Sequence, residues 1–92
     1  MEFEWDPGKR VDNLLKHGLD FAEAHHLFKN IVHMKVDKRR DYGETRYQCM
    51  GLIDNQIAMM VFTVRKNSIR IISLRKVNER EKRIYQKSIE TP

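Results

Sequence analysis

The sequence predicts an α+β domain in which two N-terminal helices and one C-terminal helix pack against a mostly antiparallel sheet. Three observations carry this reading. Between residues 32 and 75 apolar and polar side chains alternate in runs broken by turn residues, the period of strands. Residues 7–17 and the segment after residue 78 instead carry apolar side chains at three- and four-residue spacing, and Asp6, Asp20 and Asn78 each stand where a helix cap belongs.

In order along the chain, Phe3 and Trp5 alternate with Glu2, Glu4 and Asp6 as a short strand with one buried face. Asp6-Pro7 opens a first helix over about 7–17, with Val11, Leu14 and Leu15 as its expected buried stripe and Gly18 as its left-handed stop. Asp20 and Glu23 have the spacing of a capping box ahead of a short helix through Phe21, Ala24 and Phe28 to about Lys29. Val32, Met34 and Val36 mark a strand, and Lys38 to Gly43 a charged turn. Strands follow over about 44–53, 56–65 and 69–75 as an antiparallel meander, with Asp54-Asn55 and Lys66-Asn67-Ser68 as the turns. The strand near 57–64 is apolar on both faces and is expected at the centre. Asn78 and Glu81 can box a last helix whose Ile84, Tyr85 and Ile89 face the sheet.

At 92 residues the chain is read as a single domain over 1–92. It holds one cysteine, Cys49, so no internal disulfide can form, and a reducing cytoplasmic setting is expected. The acidic opening is unlike a signal peptide, and no apolar run approaches the roughly 18 residues a membrane span needs, so no membrane association is expected. Charge is distributed unevenly. Up to residue 64 there are nine basic and ten acidic side chains; from Arg65 on there are nine basic and three acidic. A cationic block of this kind attracts polyanions, nucleic acid first among them, and would attract an acidic protein equally well.

Phe3-Glu4-Trp5-Asp6-Pro7, Asn13, Lys16-His17-Gly18, and Phe21 with Ala24 and Phe28 resemble the opening of the BrnT family of toxins. Glu44-x-Arg46, Gly51, and Arg70-Ile71-Ile72-Ser73-x-Arg75 followed by Glu81 and Tyr85 are similar to that family's second half. The ordered set spans nearly the whole chain. Leu74 and Lys76-Val77-Asn78 depart from the family's usual small residues and Thr or Ser. The resemblance implies a RelE-like fold, a ribonuclease that cleaves mRNA and inhibits translation, and a BrnA-like antitoxin of the ribbon-helix-helix type through which alone DNA would be reached.

Metal-free RNA cleavage needs a base for the 2′-OH, cations for the pentavalent phosphorane and an acid for the departing 5′-oxygen. Arg46, Arg65 and Arg75 are the expected phosphate holders, since a guanidinium donates paired hydrogen bonds and stays charged. Lys16 and His17 end a helix whose dipole favours their protonated forms, which suits the acid role, and Glu44, sharing a strand face with Arg46, is the expected base. Lys9, Arg70, Lys76, Arg80, Arg83 and Tyr85 are expected to contact RNA around this set. Alanine at Arg75 and His17 together is expected to abolish cleavage with little change in thermal unfolding.

Each residue also has a purely structural reading. Lys16 and His17 suit any helix C-terminus, Glu44 and Arg46 suit a cross-strand charge pair, Arg65 and Arg75 suit solvated strand ends, and Tyr85 suits a core. His25, His26 and His33 do not make a metal site on spacing, because adjacent helical histidines diverge and Glu23 is read as a cap; no metal or cofactor is expected. Met50, Met59 and Met60 read as core filler, with Cys49 a small buried hydrophobe. The competing function is a non-catalytic module that binds RNA or protein and serves as scaffold or co-repressor in a DNA-binding complex.

Overall fold

The computed structural model describes residues 2–90. The order is β1 (Glu2–Glu4), α1 (Pro7–His17), a 3₁₀ turn (Phe21–Glu23) running into α2 (Ala24–Phe28), β2 (His33–Val36), β3 (Tyr47–Ile53), β4 (Gln56–Arg65), β5 (Ser68–Lys76) and α3 (Glu79–Glu90). They form one five-stranded sheet, β1-β5-β4-β3-β2, in which only β1 and β5 run parallel. The α+β class is borne out, and β4 holds the centre as its two apolar faces require.

Local chemistry sets most boundaries. Asp6 Oδ2 accepts from Lys9 N at 2.9 Å with Pro7 at the first helical position, and Gly18 closes α1 at φ 72°, donating its N–H to Leu14 O at 2.8 Å. Asn78 Oδ1 accepts from Glu81 N and Glu81 Oε1 from Asn78 N, the expected box. Asp54 and Asn55 both take positive φ, as a two-residue hairpin between right-twisted strands demands.

The second start works differently from the expected box. Its first turn is 3₁₀, so Asp20 Oδ1 meets Ala22 N at 3.0 Å while Asp20 O takes Glu23 N at 2.9 Å. Glu23 stands at the N-cap position of α2 but makes no side-chain capping bond; its carboxylate lies 3.1 Å from His26 Nε2. Glu44 to Arg46 also precede β3, which begins only at Tyr47.

One core lies between the sheet and the α1–α2 side, with Phe21 and Leu27 against Cys49, Met60, Ile71 and Leu74. Burial pushes the Cys49 thiol up to about 12, so it remains an inert core thiol. A smaller cluster on the opposite face joins Met50 and Met59 to Tyr85 and Ile84 of α3. Gly51 sits where α2 crosses β3. A Cβ there would meet Asn30 Oδ1 at 2.9 Å and the Asn30 and Leu27 carbonyl oxygens at 3.0 Å. Two of those atoms are backbone and cannot yield without moving α2. Gly51→Ala is expected to destabilise by about 1–3 kcal/mol, read as a lower urea midpoint at unchanged slope.

Three apolar stripes are not buried as the spacing suggests. In α1, Val11, Leu14 and Leu15 are 56%, 44% and 82% exposed, and the residue turned inward is Asn13 at 8%. β1 ends its pairing at Arg70, which leaves the outer edge of β5 open beyond it. Asn13 fills that place: its Nδ2 donates to Leu74 O at 2.7 Å and its Oδ1 accepts from Leu74 N at 3.2 Å, as a neighbouring strand would. Satisfying a buried backbone pair outweighs burying the leucine stripe, and this sets the rotation of α1. Ile89 stays exposed because α3 rests on the sheet through Ile84 and Tyr85, one turn earlier. Met34 and Val36 lie on edge strand β2, beyond the reach of the five-residue α2.

Among the described residues no helix is long and apolar enough to cross a membrane.

Candidate active site

A bulge in β5 organises the face that α3 leaves open. Val61 pairs with Ser73 and Phe62 with Ile71, so Ile72 is an extra residue and the strand bends there. Ile72 and Ser73 line two adjoining depressions. On one side the wall is a flank of α1, from Lys9 in its first turn to Lys16 and His17 at its end. On the other it is the loop between β2 and β3, with Arg39, Arg40, Tyr42 and Arg46. A third depression, reached past Asp37 and Arg39, is lined by Lys35, Arg75, Arg80 and Glu81. The second and third have volumes of about 310 and 550 Å³, within the range of small-ligand sites.

Glu44 and Arg46 come together as expected, although in the loop rather than on a strand. Arg46 Nε donates to Glu44 Oε2 at 3.1 Å, and Arg65 Nη2 lies 3.3 Å from Glu44 Oε1. The hydrogen bond from Arg46, then that from Arg65, holds the Glu44 carboxyl below its ordinary range despite partial desolvation. Arg46 also lies over the Tyr42 ring at 4.2 Å from its centroid. Arg75 is gripped from α3, donating to both Glu81 oxygens at 2.8 Å and to Lys76 O at 3.2 Å. This bond also holds Glu81 low.

The six expected catalytic residues are thus brought together in part. Lys16, His17, Arg46 and Arg75 line neighbouring depressions of one face, while Glu44 and Arg65 stand behind Arg46 and line none of the three. The Arg75–Glu81 pair corrects one expectation: alanine at Arg75 would strip a partner from a carboxylate that is only 17% exposed, so thermal unfolding would not stay unchanged.

Of the residues expected along the RNA path, Lys9 and Arg80 line these depressions. Lys76 lines a separate one with Asn55 and Lys82 at the far end of the sheet. Arg70 faces Glu4 across β1 and β5 at 3.5 Å. Arg83 is on the exposed side of α3, and Tyr85 is packed in the second cluster at 7% exposure, away from solvent. Among the described residues no three His, Cys, Asp or Glu side chains converge as a metal would require. Sequence reasoning passed over Arg39, Arg40 and Tyr42 as an ordinary charged turn, and over Asp37 as a polar position of the strand before it. Paired arginines and a tyrosine in a loop beside a strand end were the available signal.

A small α+β domain that turns arginines, a lysine and a histidine toward one bulged face defines a class: proteins built to handle an anionic substrate. The family model described as ribonuclease toxin, BrnT, of type II toxin-antitoxin system matches residues 5–81, and the chain belongs to that family. The matched span includes every residue lining the three depressions. A search of curated proteins found no match. The family is one of ribonucleases with an antitoxin partner.

Proposed function

We propose that this chain is a cytoplasmic endoribonuclease toxin that cleaves mRNA without a metal and so inhibits translation. A BrnA-like ribbon-helix-helix antitoxin neutralises it, and the pair meets DNA through the antitoxin. The observation that carries this reading is the Ile72–Ser73 bulge, which sets Lys16 and His17 on one side and Arg46 on the other. An acid at a helix C-terminus and a cation for the phosphate then face the same strip of sheet. Arg46 and Arg75 hold the scissile phosphate, each preoriented by a carboxylate. His17 or Lys16 gives its proton to the departing 5′-oxygen. Glu44 takes the 2′ proton once the phosphate draws Arg46 away from it, and Arg65 keeps its carboxylate in place.

Purified protein with a short RNA should yield 2′,3′-cyclic phosphate ends in the presence of EDTA; intact RNA, or cleavage only with added divalent metal, would overturn the proposal. A pH profile tests the base. Glu44 is a stronger acid than usual, so it stays ionised as pH falls through the ordinary Glu value of about 4.3, and the acid limb of kcat/KM should lie below that point. A limb near pH 6 to 7 would instead identify a neutral imidazole as base.

A non-catalytic scaffold is the second reading, and the carboxylate partners already held by Arg46, Arg65 and Arg75 favour it. A scaffold would bind RNA in a salt-sensitive way and leave it whole.

A further inference from the structure

Asp37 is the most deeply buried carboxylate of the β2–β3 loop, with its side chain 1% exposed. It directly follows β2, and its N–H is fixed to Arg46 O at 2.8 Å. Its oxygens accept from Arg39 Nε at 2.8 Å, Arg39 Nη2 at 2.7 Å, Arg39 N at 3.2 Å and Tyr42 Oη at 2.9 Å. With its amide turned as its neighbours require, buried Gln48 adds an acceptor at 3.1 and 3.2 Å from the same guanidinium. A carboxylate so fully bonded cannot rotate, and the fork it holds cannot swing.

Despite that grip the Arg39 side chain is still 61% exposed. It lines both the bulge-side depression and the one containing Arg75, and its charge opposes the rise in Arg75's pKa, which places the two cations within electrostatic reach. Arg40 and Arg46 complete the bulge-side depression, both near the Tyr42 ring. Of the three arginines there, Arg39 is paired with Asp37 and Arg46 with Glu44, so three cations against two bonded carboxylates leave a net positive charge centred on Arg40. Fixed like charges at close quarters repel, and a bound anion relieves the repulsion. An arginine held by a buried acid while its outer side stays open has the arrangement of a preoriented anion receptor.

We propose that Arg39, with Arg40, forms a phosphate subsite for single-stranded RNA next to the scissile position, and that Asp37 is its positioning residue. This rests on the nuclease reading only for the identity of the ligand. The subsite would hold a neighbouring phosphodiester of the same strand, so that Arg46 and Arg75 meet the reacting one in register.

The test measures binding of a 2′-O-methyl RNA, which lacks the nucleophile and cannot be cut, across a salt series with the full chain. Arg39→Ala should weaken binding on the order of ten-fold at low salt and reduce the salt slope by about 0.7, one single-strand phosphate contact. Arg39→Lys, which folds with its charge kept, should weaken binding at an unchanged slope. Asp37→Asn discriminates by sign: removing an acid from a basic face would tighten binding if bulk charge alone mattered, whereas loss of positioning weakens it. Affinity and slope as in the wild type for Arg39→Ala, tighter binding for Asp37→Asn, or no binding by the wild type would each overturn the subsite. If the wild type binds with these variant effects yet leaves unmodified RNA intact, the subsite stands and the nuclease reading falls. If Arg39→Ala instead loses affinity only for a protein partner, the subsite falls and Arg39 belongs to an interaction surface.

Discussion

A chain carrying Arg75→Lys together with His17→Ala is expected to lose RNA cleavage by on the order of 10⁴-fold, the combined effect of losing phosphate stabilisation and a proton donor. Lysine is the informative replacement at residue 75. Arg75 closes a two-pronged bond to Glu81, and Glu81 in turn boxes the start of α3 with Asn78. Alanine would loosen that helix and confuse instability with lost chemistry; lysine keeps one charge contact and removes the fork. His17 is only partly buried at the end of α1, so its removal should leave the fold in place. Cleavage rates and a urea melt on the same preparation make the comparison. Retained cleavage with an intact melt would remove Arg75 and His17 from the proposed chemistry.

The largest expected loss of stability comes from a polar residue. Asn13→Ala should cost about 3–4 kcal/mol, because it takes from the Leu74 N–H and C=O and the Leu19 carbonyl the buried side chain that bonds them. Domains of this size shift by about 4–8 °C per kcal/mol, so the midpoint of thermal unfolding should fall by roughly 12–30 °C. Leu15→Ala, by contrast, should stay within about 0.5 kcal/mol, since that side chain is 82% exposed. The amphipathic pattern of α1 demands the reverse order. A larger cost at Leu15 than at Asn13 would restore the stripe to the core.

The helices and strands were legible because their signals are local. Asp6-Pro7 with Gly18, the Asn78–Glu81 box, the Asp54-Asn55 turn and the apolar run of β4 each act within a few residues. The Asp20–Glu23 spacing misled for a local reason of another kind: a 3₁₀ turn shortens the reach of the cap, and the Glu23 side chain turned to His26 instead. Lys16, His17, Arg46 and Arg75 were singled out by type and position, and three of them, Lys16, His17 and Arg46, line the two depressions that share Ile72 and Ser73. Nothing in their spacing announced the bulge, because it arises from a mismatch between two strands.

The sequence by itself determined the order of elements, the central place of β4 and the cationic character of the last third, because backbone propensity, capping and net charge depend on near neighbours alone. Only the tertiary structure decided that Asn13 faces inward and Leu15 outward, that Glu44 is flanked by two arginines, and that Asp37 lies buried beneath Arg39. For Asn13 the group to be satisfied lies far along the chain at Leu74, and for Glu44 the second arginine is Arg65; Asp37 is bonded by its near neighbours Arg39 and Tyr42, and only its burial is a tertiary outcome. The cost of leaving a buried polar group unpaired outweighed the pattern that the local sequence displays.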